Sequence, residues 1–328
     1  MKVYHDKDID ESVLEEKTVA VIGYGSQGRA QALNMRDSGV DVVLGLRPGG
    51  KSWEKAKADG FEPMTVLEAA EKGDVVLMLI PDMVQPSVWK EEVSLAMKPG
   101  KALQFAHGFN IHFDEIQPKE NVDVIMVAPK SPGPEMRRQY EEGFGVPSLV
   151  AVKQDASGQA LDKALAIAKA LGSGRAGVIE TTFEDETESD LFGEQAVLCG
   201  GVDQLIRRGF KVLTEAGYPP ELAYFEVLNE LKLIVDLIYK SGISGMYKAV
   251  SDTAKWGGMS VGTEIIDGHV EDNMREALRK VQDGSFAKSW IEEAKSGMKN
   301  FDRLMKECEN LEIEKIGKQV RSMSGLEE

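Results

Sequence analysis

The sequence predicts an α/β domain with a doubly wound sheet, followed by an all-helical domain. Short apolar runs alternate with amphipathic stretches through the first half, as expected when helices cover both faces of a sheet. A Gly-X-Gly-X-X-Gly motif from Gly23 to Gly28 follows the first strong run, as in Rossmann-like domains. After about Thr181 the periodicity is almost purely helical. The predicted domains are therefore residues 1–181 and 182–328.

Six apolar runs are predicted to be strands, and several lack the polar alternation of a half-exposed sheet. Uninterrupted apolar runs are typical of parallel strands that are covered on both faces. Amphipathic stretches at 30–39, 51–60 and 161–172 supply helices between or after them. The predicted strands are residues 18–23, 40–46, 74–80, 101–106, 123–128 and 148–152.

Glycine and proline residues divide the second domain into helices. We expect breaks at Gly217–Pro220, Gly242–Gly245, Gly257–Gly258 and Gly284, because these residue types interrupt helices. The acidic run FEDETESD precedes the first of these helices, where negative charge is favourable. The last dozen residues are expected to be frayed.

Composition and charge narrow the class of protein. The chain has 328 residues, 42% of them hydrophobic, and a formal net charge of −16. An acidic chain of this kind is not expected to bind nucleic acid or an anionic membrane surface. No apolar run approaches the roughly 20 residues of a membrane span, and the first residues are too polar for a secretory signal. Cys199 and Cys308 cannot build a disulfide framework, so a cytoplasmic location is expected.

Two acidic pairs lie on helical stretches of the second domain. Asp190 and Glu194 are four residues apart, as are Glu226 and Glu230, and this spacing places both members on one helix face. Apolar residues continue each face, so both pairs are predicted to interrupt core-facing stripes. A buried carboxylate takes up a proton, binds a cation or joins an ion pair. Facing helices with inward carboxylates can hold Mg²⁺, which makes a metal-assisted redox enzyme the leading hypothesis.

The glycine motif predicts a dinucleotide site. Gly23, Tyr24, Gly25, Ser26, Gln27 and Gly28 stand directly after a predicted strand and before a predicted helix, the context in which this motif binds a pyrophosphate. The second strand is followed by Arg47, Lys51 and Ser52, and not by the acid that binds the ribose of NAD. Cations and a hydroxyl suit a 2′-phosphate, so NADPH is favoured. The competing interpretation is that Arg47 and Lys51 are solvated loop charges.

These motifs together resemble the short-chain class I of ketol-acid reductoisomerase, also called acetohydroxy acid isomeroreductase. The resemblance covers essentially the whole chain. It implies alkyl migration followed by hydride reduction, with NADPH and two Mg²⁺ ions. The implied substrates are 2-acetolactate and 2-aceto-2-hydroxybutyrate, in branched-chain amino-acid biosynthesis. The resembling segments are VIGYGSQGRAQALNMRDSG, FAHGFNIHF, VAPKSPG, ETESDLFGEQAVLCGG and NELKLIVDLIY.

The resemblance also implies roles for individual residues. His107 and Lys130 would be catalytic, and Ser251 would contact substrate from the partner subunit, although Ser251 could instead be a helix cap. The metal ligands would be Asp190, Glu194, Glu226 and Glu230. Cofactor contacts would be Gly23 to Gly28, Arg47, Ser52, Asp82, Met83, Val84, Gln85 and Gly133. The helical domain would be knotted and intertwined within a homodimer, with assembly of dimers into larger oligomers left open.

Two positions depart from the commoner family pattern. Arg29 stands where histidine is frequent, and little effect is expected there. Gly50 stands where many NADPH-using members carry a serine that faces the 2′-phosphate. Loss of one charge-assisted hydrogen bond, worth about 1.5–3 kcal/mol, would reduce the NADPH preference roughly ten- to hundredfold. Use of NADH as well therefore stays open.

Two other functions are compatible with the glycine motif. A β-hydroxyacid dehydrogenase has the same domain order but needs no metal, so four inward carboxylates would lack a purpose. A non-catalytic NADP-sensing protein would keep Gly23 to Gly28 without a reason to keep Lys130 and Ser251 as well. Magnesium dependence and NADPH consumption with 2-acetolactate separate these hypotheses.

Overall fold

A mixed sheet forms the centre of the first of two units into which the chain divides, Met1–Ser189 and the residues from Asp190 onward. The computed structural model describes residues 1–323. The strands are β1 (Val3–Tyr4), β2 (Thr18–Ile22), β3 (Asp41–Gly45), β4 (Val75–Met78), β5 (Ala102–Phe105), β6 (Asp123–Pro129), β7 (Ser148–Gln154) and β8 (Val178–Glu180). Their order across the sheet is β1-β8-β7-β6-β5-β4-β2-β3.

Helices cover both faces of this sheet. The alternating residues of β2 belong to separate apolar clusters, Val19 and Val21 on one face and Ala20 and Ile22 on the other. The predicted doubly wound, Rossmann-like fold is therefore confirmed. The helices are α1 (Ser26–Asp37), α2 (Lys51–Ala58), α3 (Val66–Lys72), α4 (Gln85–Val88), α5 (Ser94–Ala96), α6 (Phe109–His112), α7 (Gly133–Glu141) and α8 (Ala160–Ala170).

The sheet is parallel from β3 to β6 and then reverses direction. β7 pairs antiparallel with β6 through Met126 and Ala151, a reversal that its apolar run did not indicate. Strands β1 and β8 were not predicted. They are two and three residues long and pair antiparallel through Tyr4 and Val178. Such short segments contain too little periodicity to be recognised from sequence.

The second unit is helical throughout its described residues. Helix α9 (Phe183–Gly193) runs into it, and eight further helices follow. They are α10 (Gly200–Glu215), α11 (Pro220–Tyr224), α12 (Glu230–Ala249), α13 (Asp252–Ile265), α14 (Gly268–Gln282), α15 (Ser285–Lys295), α16 (Lys299–Glu309) and α17 (Glu312–Met323). Wider π-helical segments, Glu194–Leu198 and Phe225–Asn229, precede α10 and α12.

Three of the four predicted helix breaks are present. Gly217–Pro220 separates α10 from α11, Gly242 kinks α12 at φ 72°, and Gly284 begins α15 at φ 74°. The break predicted at Gly257–Gly258 is wrong, because α13 runs through both residues. A Cβ at Gly258 would lie 3.2 Å from the Tyr247 ring, so this glycine serves side-chain packing.

The predicted fraying of the last dozen residues is wrong as far as Met323, and the remainder lies outside the described residues. Helix α17 continues to Met323 because it packs on α11. Gly317 and Val320 are buried, and a Cβ at Gly317 would lie 2.7 Å from the Tyr224 ring. No helix among the described residues is long and apolar enough to cross a lipid bilayer.

Candidate cofactor cleft and active site

The three glycines of the motif lie in different steric surroundings, and each lacks a side chain to a different effect. Gly23 has φ 102°, and a Cβ there would lie 2.4 Å from the carbonyl oxygen of Leu79. A Cβ at Gly28 would lie 2.3 Å from the carbonyl oxygen of Gly23, so this residue permits close packing of α1 on the turn. Gly25 faces open space at the start of α1. A pyrophosphate can therefore approach the helix N-terminus there.

A cleft of about 520 Å³ lies beside this turn. Six predicted cofactor contacts converge with Lys51 on this one cavity. They are Gly23, Tyr24, Gly25, Arg47, Ser52 and Val84. Helix α2 begins directly after Gly50 with no side-chain cap. The amide of Trp53 donates to the carbonyl oxygen of Gly50 at 3.0 Å, and the N-terminal end of the helix, which includes Ser52, favours an anion through the helix dipole.

Asp59, at the end of α2, ties this helix to the glycine turn. Its carboxylate accepts two hydrogen bonds from Arg29, at 2.7 and 2.9 Å, and one from the Tyr24 hydroxyl at 2.9 Å. Burial and the neighbouring Asp59 raise the pKa of the Tyr24 phenol, so it stays a donor. The family departure at Arg29 therefore holds a structural link between α1 and α2.

The segment that follows β6 rests directly on the glycine turn. Gln27 donates a hydrogen bond of 2.8 Å to the carbonyl oxygen of Ser131. A Cβ at Gly133 would lie 2.2 Å from the carbonyl oxygen of Ser26, so only glycine allows α7 to begin this close to α1. Gln27 and Gly133, both predicted cofactor contacts, thereby position the residues next to Lys130.

The predicted contacts Asp82, Met83, Val84 and Gln85 follow β4. The Gln85 side chain is buried and donates a hydrogen bond of 2.9 Å to the carbonyl oxygen of Ile80. Its side-chain oxygen accepts a hydrogen bond of 3.0 Å from the Asn110 amide. Gln85 therefore holds the loop together from the inside. Val84 is 44% exposed and faces the cleft.

Glu186 on α9 joins the two predicted catalytic residues. Its side chain is 1% exposed, and its oxygens lie 2.8 Å from the Lys130 ammonium and 3.1 Å from Nδ1 of His107. The amide of Gly108 donates a third hydrogen bond, at 3.2 Å. Burial opposes ionisation of this carboxyl, but the hydrogen bond from His107 and the charges of His107 and Lys130 outweigh it. They hold the pKa of Glu186 below its usual value.

A second histidine–glutamate pair anchors α9 close to Glu186. Nε2 of His112, on α6, lies 3.4 Å from a carboxylate oxygen of Glu188. Neither Glu186 nor Glu188 was predicted, because the run FEDETESD was interpreted only as a favourable helix start. A signal was present, since Glu186 lies four residues before Asp190, just as Asp190 lies four before Glu194.

The four predicted metal ligands lie around the two π-helical segments. Asp190 lies in the last turn of α9, Glu194 begins the first of these segments, Glu226 lies in the second, and Glu230 begins α12. Within residues 1–323 of one chain, no group of three or more ligand atoms within 4.8 Å combines the two pairs.

The prediction that these pairs interrupt buried stripes is wrong for the single chain. Glu194, Glu226 and Glu230 are exposed. Apolar residues that continue these faces are also exposed: Leu198 is 66% exposed and Leu233 is 55% exposed. Among the described residues of the helical unit, a small buried cluster is formed by Phe210, Ala223, Tyr224, Ile313 and Val320. Helical periodicity identified the apolar faces but not what covers them.

Ser251 is exposed and caps a helix. It precedes α13, and its Oγ accepts a hydrogen bond of 3.2 Å from the amide of Ala254. The helix-cap interpretation is therefore correct within one chain. A hydroxyl in this position can still donate its proton to a ligand.

The fold and the cleft define a class, the dinucleotide-dependent oxidoreductases whose Rossmann-like domain precedes a helical domain. The family model described as acetohydroxy acid isomeroreductase, NADPH-binding domain, matches residues 13–177. The model described as ketol-acid reductoisomerase, C-terminal domain, matches residues 183–325. The chain belongs to the ketol-acid reductoisomerase family.

Individual relatives agree over the full length. The NADP(+) ketol-acid reductoisomerase of Pyrococcus abyssi is 60% identical, and the match covers 100% of this chain and 98% of the relative. That of Methanocaldococcus jannaschii is 54% identical over 100% and 99%. The solved structure of an NADH-preferring ketol-acid reductoisomerase from an uncultured archean has a TM-score of 0.96 at 52% identity, covering 98% and 99%. The resemblance inferred from the motifs is confirmed, and with it a ketol-acid reductoisomerase activity.

Proposed function

We propose that this enzyme converts 2-acetolactate to 2,3-dihydroxyisovalerate, and 2-aceto-2-hydroxybutyrate to its dihydroxy acid, with two Mg²⁺ ions, in branched-chain amino-acid biosynthesis. The observation that carries the proposal is helix α9. It bears Glu186, which holds His107 and Lys130, and four residues later Asp190. The residue that holds both proposed catalytic side chains thus shares one helix with a proposed metal ligand. The two family models, which end at residue 177 and begin at residue 183, support a domain boundary at 181/182, although the compact units divide within α9 at Ser189.

The donor set suits magnesium. Asp190, Glu194, Glu226 and Glu230 offer only carboxylate oxygens, which Mg²⁺ prefers, and water and substrate would complete its octahedral shell. Four carboxylates also balance the charge of two divalent ions. Bound Mg²⁺ would supply Lewis-acid polarisation of the substrate's ketone and hydroxyl oxygens.

The contacts of Glu186 assign the proton positions. An ionised carboxylate only accepts hydrogen bonds, so Nδ1 of His107 carries a proton, and in the neutral ring Nε2 is the nitrogen that takes up another. The Lys130 ammonium has donors beyond the one on Glu186 and can bind a substrate oxygen. His107 would move a proton, and Lys130 would orient the substrate and stabilise its negative charge.

We propose NADPH as the preferred cofactor, with NADH as a weaker second one. Arg47, Lys51 and Ser52 line the same cleft as Tyr24, and no acid stands at the end of β3 to bind a 2′-hydroxyl. The curated relatives are NADP(+) enzymes, whereas the relative of solved structure prefers NADH. Gly50 in place of a serine supports a modest preference.

We also propose that the enzyme is a cytoplasmic homodimer whose helical domains intertwine; assembly of these dimers into larger oligomers stays open. The helical unit exposes large apolar side chains, among them Trp256 at 75% and Tyr239 at 88%. Apolar surface on this scale is typical of an interface. Within residues 1–323, no group of three or more ligand atoms within 4.8 Å combines the two acidic pairs, which supports a site that a second chain would complete with Ser251.

The substitution Asp190→Asn tests the proposed metal site. It should abolish both alkyl migration and reduction, because each needs the polarised substrate. The dissociation constant for NADPH should stay near that of the wild type, since the glycine turn lies in the other unit. Near-normal turnover of the variant in MgCl₂ would overturn the metal assignment.

A further inference from the structure

The helix that carries Asp190 and Glu194 changes its winding at Glu194. The α-helical stretch ends at Gly193, and residues Glu194–Leu198 form a π-helical segment. The amide of Cys199 donates a hydrogen bond of 3.0 Å to the carbonyl oxygen of Glu194, five residues earlier. Cys199 then has φ −111° and ψ −62°, away from regular helix, before α10 begins. Such π-helical turns are rare and occur frequently at functional sites.

Two glycines follow this segment, and the backbone leaves no room for a side chain at either. A Cβ at Gly200 would lie 2.2 Å from the carbonyl oxygen of Gln195. A Cβ at Gly201 would lie 2.0 Å from that of Ala196. Both obstacles are backbone atoms five residues earlier in the helix, so no rotamer change relieves the contact. The local winding itself therefore requires glycine at 200 and 201.

Neighbouring glycines do not have this requirement. A Cβ at Gly193 meets only the Leu198 side chain, at 3.7 Å, an ordinary contact distance. The second π-helical segment is followed by Glu230 and Leu231, which carry side chains without difficulty. Steric exclusion is thus particular to the segment that begins at Glu194.

We propose that Gly200 and Gly201 are positioning residues for the Mg²⁺ ligand Glu194, an inference that rests on the proposed metal site. An α-helix turns about 100° per residue, and a π-helical turn accommodates one residue more. A Cβ at residue 201 would force Ala196 and its neighbours toward regular winding. That change would break the hydrogen bond that the carbonyl oxygen of Glu194 accepts from Cys199, and so would shift the backbone that carries the Glu194 carboxylate. Gly200 and Gly201 are also the last two residues of the ETESDLFGEQAVLCGG motif.

The test is calorimetric titration of the full-length NADPH-free enzyme with MgCl₂. Gly201→Ala should weaken Mg²⁺ binding about tenfold or more, the scale on which groups that orient metal ligands act. Gly193→Ala is the matched control, because it adds the same methyl group to the same helix without a backbone clash, and it should bind Mg²⁺ like the wild type. NADPH affinity should be unchanged in both variants.

Glu194→Gln separates failure of this inference from failure of the metal assignment. If Glu194→Gln binds Mg²⁺ as the wild type does, the proposed ligand set is wrong. If Glu194→Gln weakens binding but Gly201→Ala does not, only the positioning role is wrong.

Amide hydrogen exchange measured on the wild type tests the proposal without any variant, so the result does not depend on how well a variant folds. Addition of MgCl₂ should slow exchange across residues 194–201 at least tenfold. Unchanged exchange there, with Mg²⁺ bound according to calorimetry, would overturn the proposal.

Discussion

Glu186 shows how one buried charge can organise two functional groups. Its carboxylate accepts hydrogen bonds from Lys130 at 2.8 Å and from the amide of Gly108 at 3.2 Å, and it contacts His107 at 3.1 Å. Only an ionised carboxylate can satisfy all three donors in this buried position. Any change that removes its charge should therefore release both His107 and Lys130, the two side chains proposed to be catalytic.

We expect Glu186→Gln to lower kcat by about 10²-fold or more, the contribution of a positioned acid–base group. An amide cannot accept from both Lys130 and His107, so the His107 ring loses its fixed orientation. Stopped-flow reduction and equilibrium NADPH binding would measure the effect, with NADPH affinity retained. Glu184→Gln, an exposed acid on the same helix, is the control and should be active. A fully active Glu186→Gln enzyme would exclude the positioning role.

Asp123 gives a prediction about acid stability. Its buried carboxylate lies 2.6 Å from the Lys163 ammonium and accepts hydrogen bonds from Ser157. Burial opposes its ionisation, but the hydrogen bonds from Lys163 and Ser157 prevail and hold the pKa of Asp123 below its usual value. Because the folded pKa lies below the unfolded one of about 3.9, this stabilisation is complete above about pH 5 and is lost as pH falls through the folded pKa.

Asp123→Asn should therefore cost about 3 kcal/mol or more at pH 7, because it leaves the Lys163 charge buried without its partner. Urea unfolding followed across pH 2–7 should show the difference from the wild type shrinking below about pH 4. A difference that is independent of pH would contradict this account.

At the residue scale, sequence reasoning found groups whose chemistry is local. The glycine turn, Arg47 and Lys130 each follow a recognisable strand. Glu186 was missed because its role depends on His107, a partner far away in sequence. Gln85 was assigned as a cofactor contact, but it faces inward and accepts a hydrogen bond from the distant Asn110. Burial of a polar side chain is a tertiary property that no local pattern encodes.

At the scale of elements, the proposed cofactor preference depends on Arg47, after β3, and on Ser52, in the first turn of α2. Replacing Arg47 and Ser52 together with Asp should repel the 2′-phosphate and shift preference to NADH, because repulsion can set specificity. In the wild type, NADPH should be preferred by at most roughly a hundredfold. Steady-state kinetics with both cofactors measure the change. Lys57→Asp, at the exposed far end of α2, is the control. An NADH preference in the wild type would contradict the proposed role of Arg47.

Long periodic elements were predictable, and short or irregular ones were not. The six predicted strands are present, because each is an apolar run bounded by turn residues. Strands β1 and β8 are too short for a pattern, and the reversal at β7 depends on which neighbour it pairs with. Gly258 was misread as a break because a glycine that makes room for Tyr247 cannot be distinguished in sequence from one that ends a helix.

At the scale of the whole molecule, the exposed apolar helices predict that two chains build each site. Asp190→Asn and Ser251→Ala chains should each be inactive alone as homodimers. Co-expressed heterodimers should recover about a quarter to a half of the wild-type activity per dimer, because one of two sites then combines an intact Asp190 with the partner's Ser251 (an estimate that follows from closed two-fold symmetry). Purified heterodimers without activity would show that each chain builds its own site.

The assembly itself could not be predicted from residue patterns alone. Amphipathic periodicity shows that a helix face is apolar, but it does not distinguish burial within a chain from burial between chains. Leu198 and Leu233 are such cases, since both continue acidic faces and both are exposed in one chain. Only the resemblance to a family supplied the expectation of an intertwined dimer.

The central claim is that carboxylates of the helical unit hold Mg²⁺ while the Rossmann-like unit supplies NADPH to the same substrate. The most direct measurement is NADPH oxidation at 340 nm, the absorbance of the reduced nicotinamide, with 2-acetolactate, in MgCl₂, in EDTA and after MgCl₂ is restored. Product identity would be checked by mass spectrometry. The account predicts 2,3-dihydroxyisovalerate with Mg²⁺, none in EDTA, and recovery when Mg²⁺ returns. Equal turnover in EDTA would contradict it.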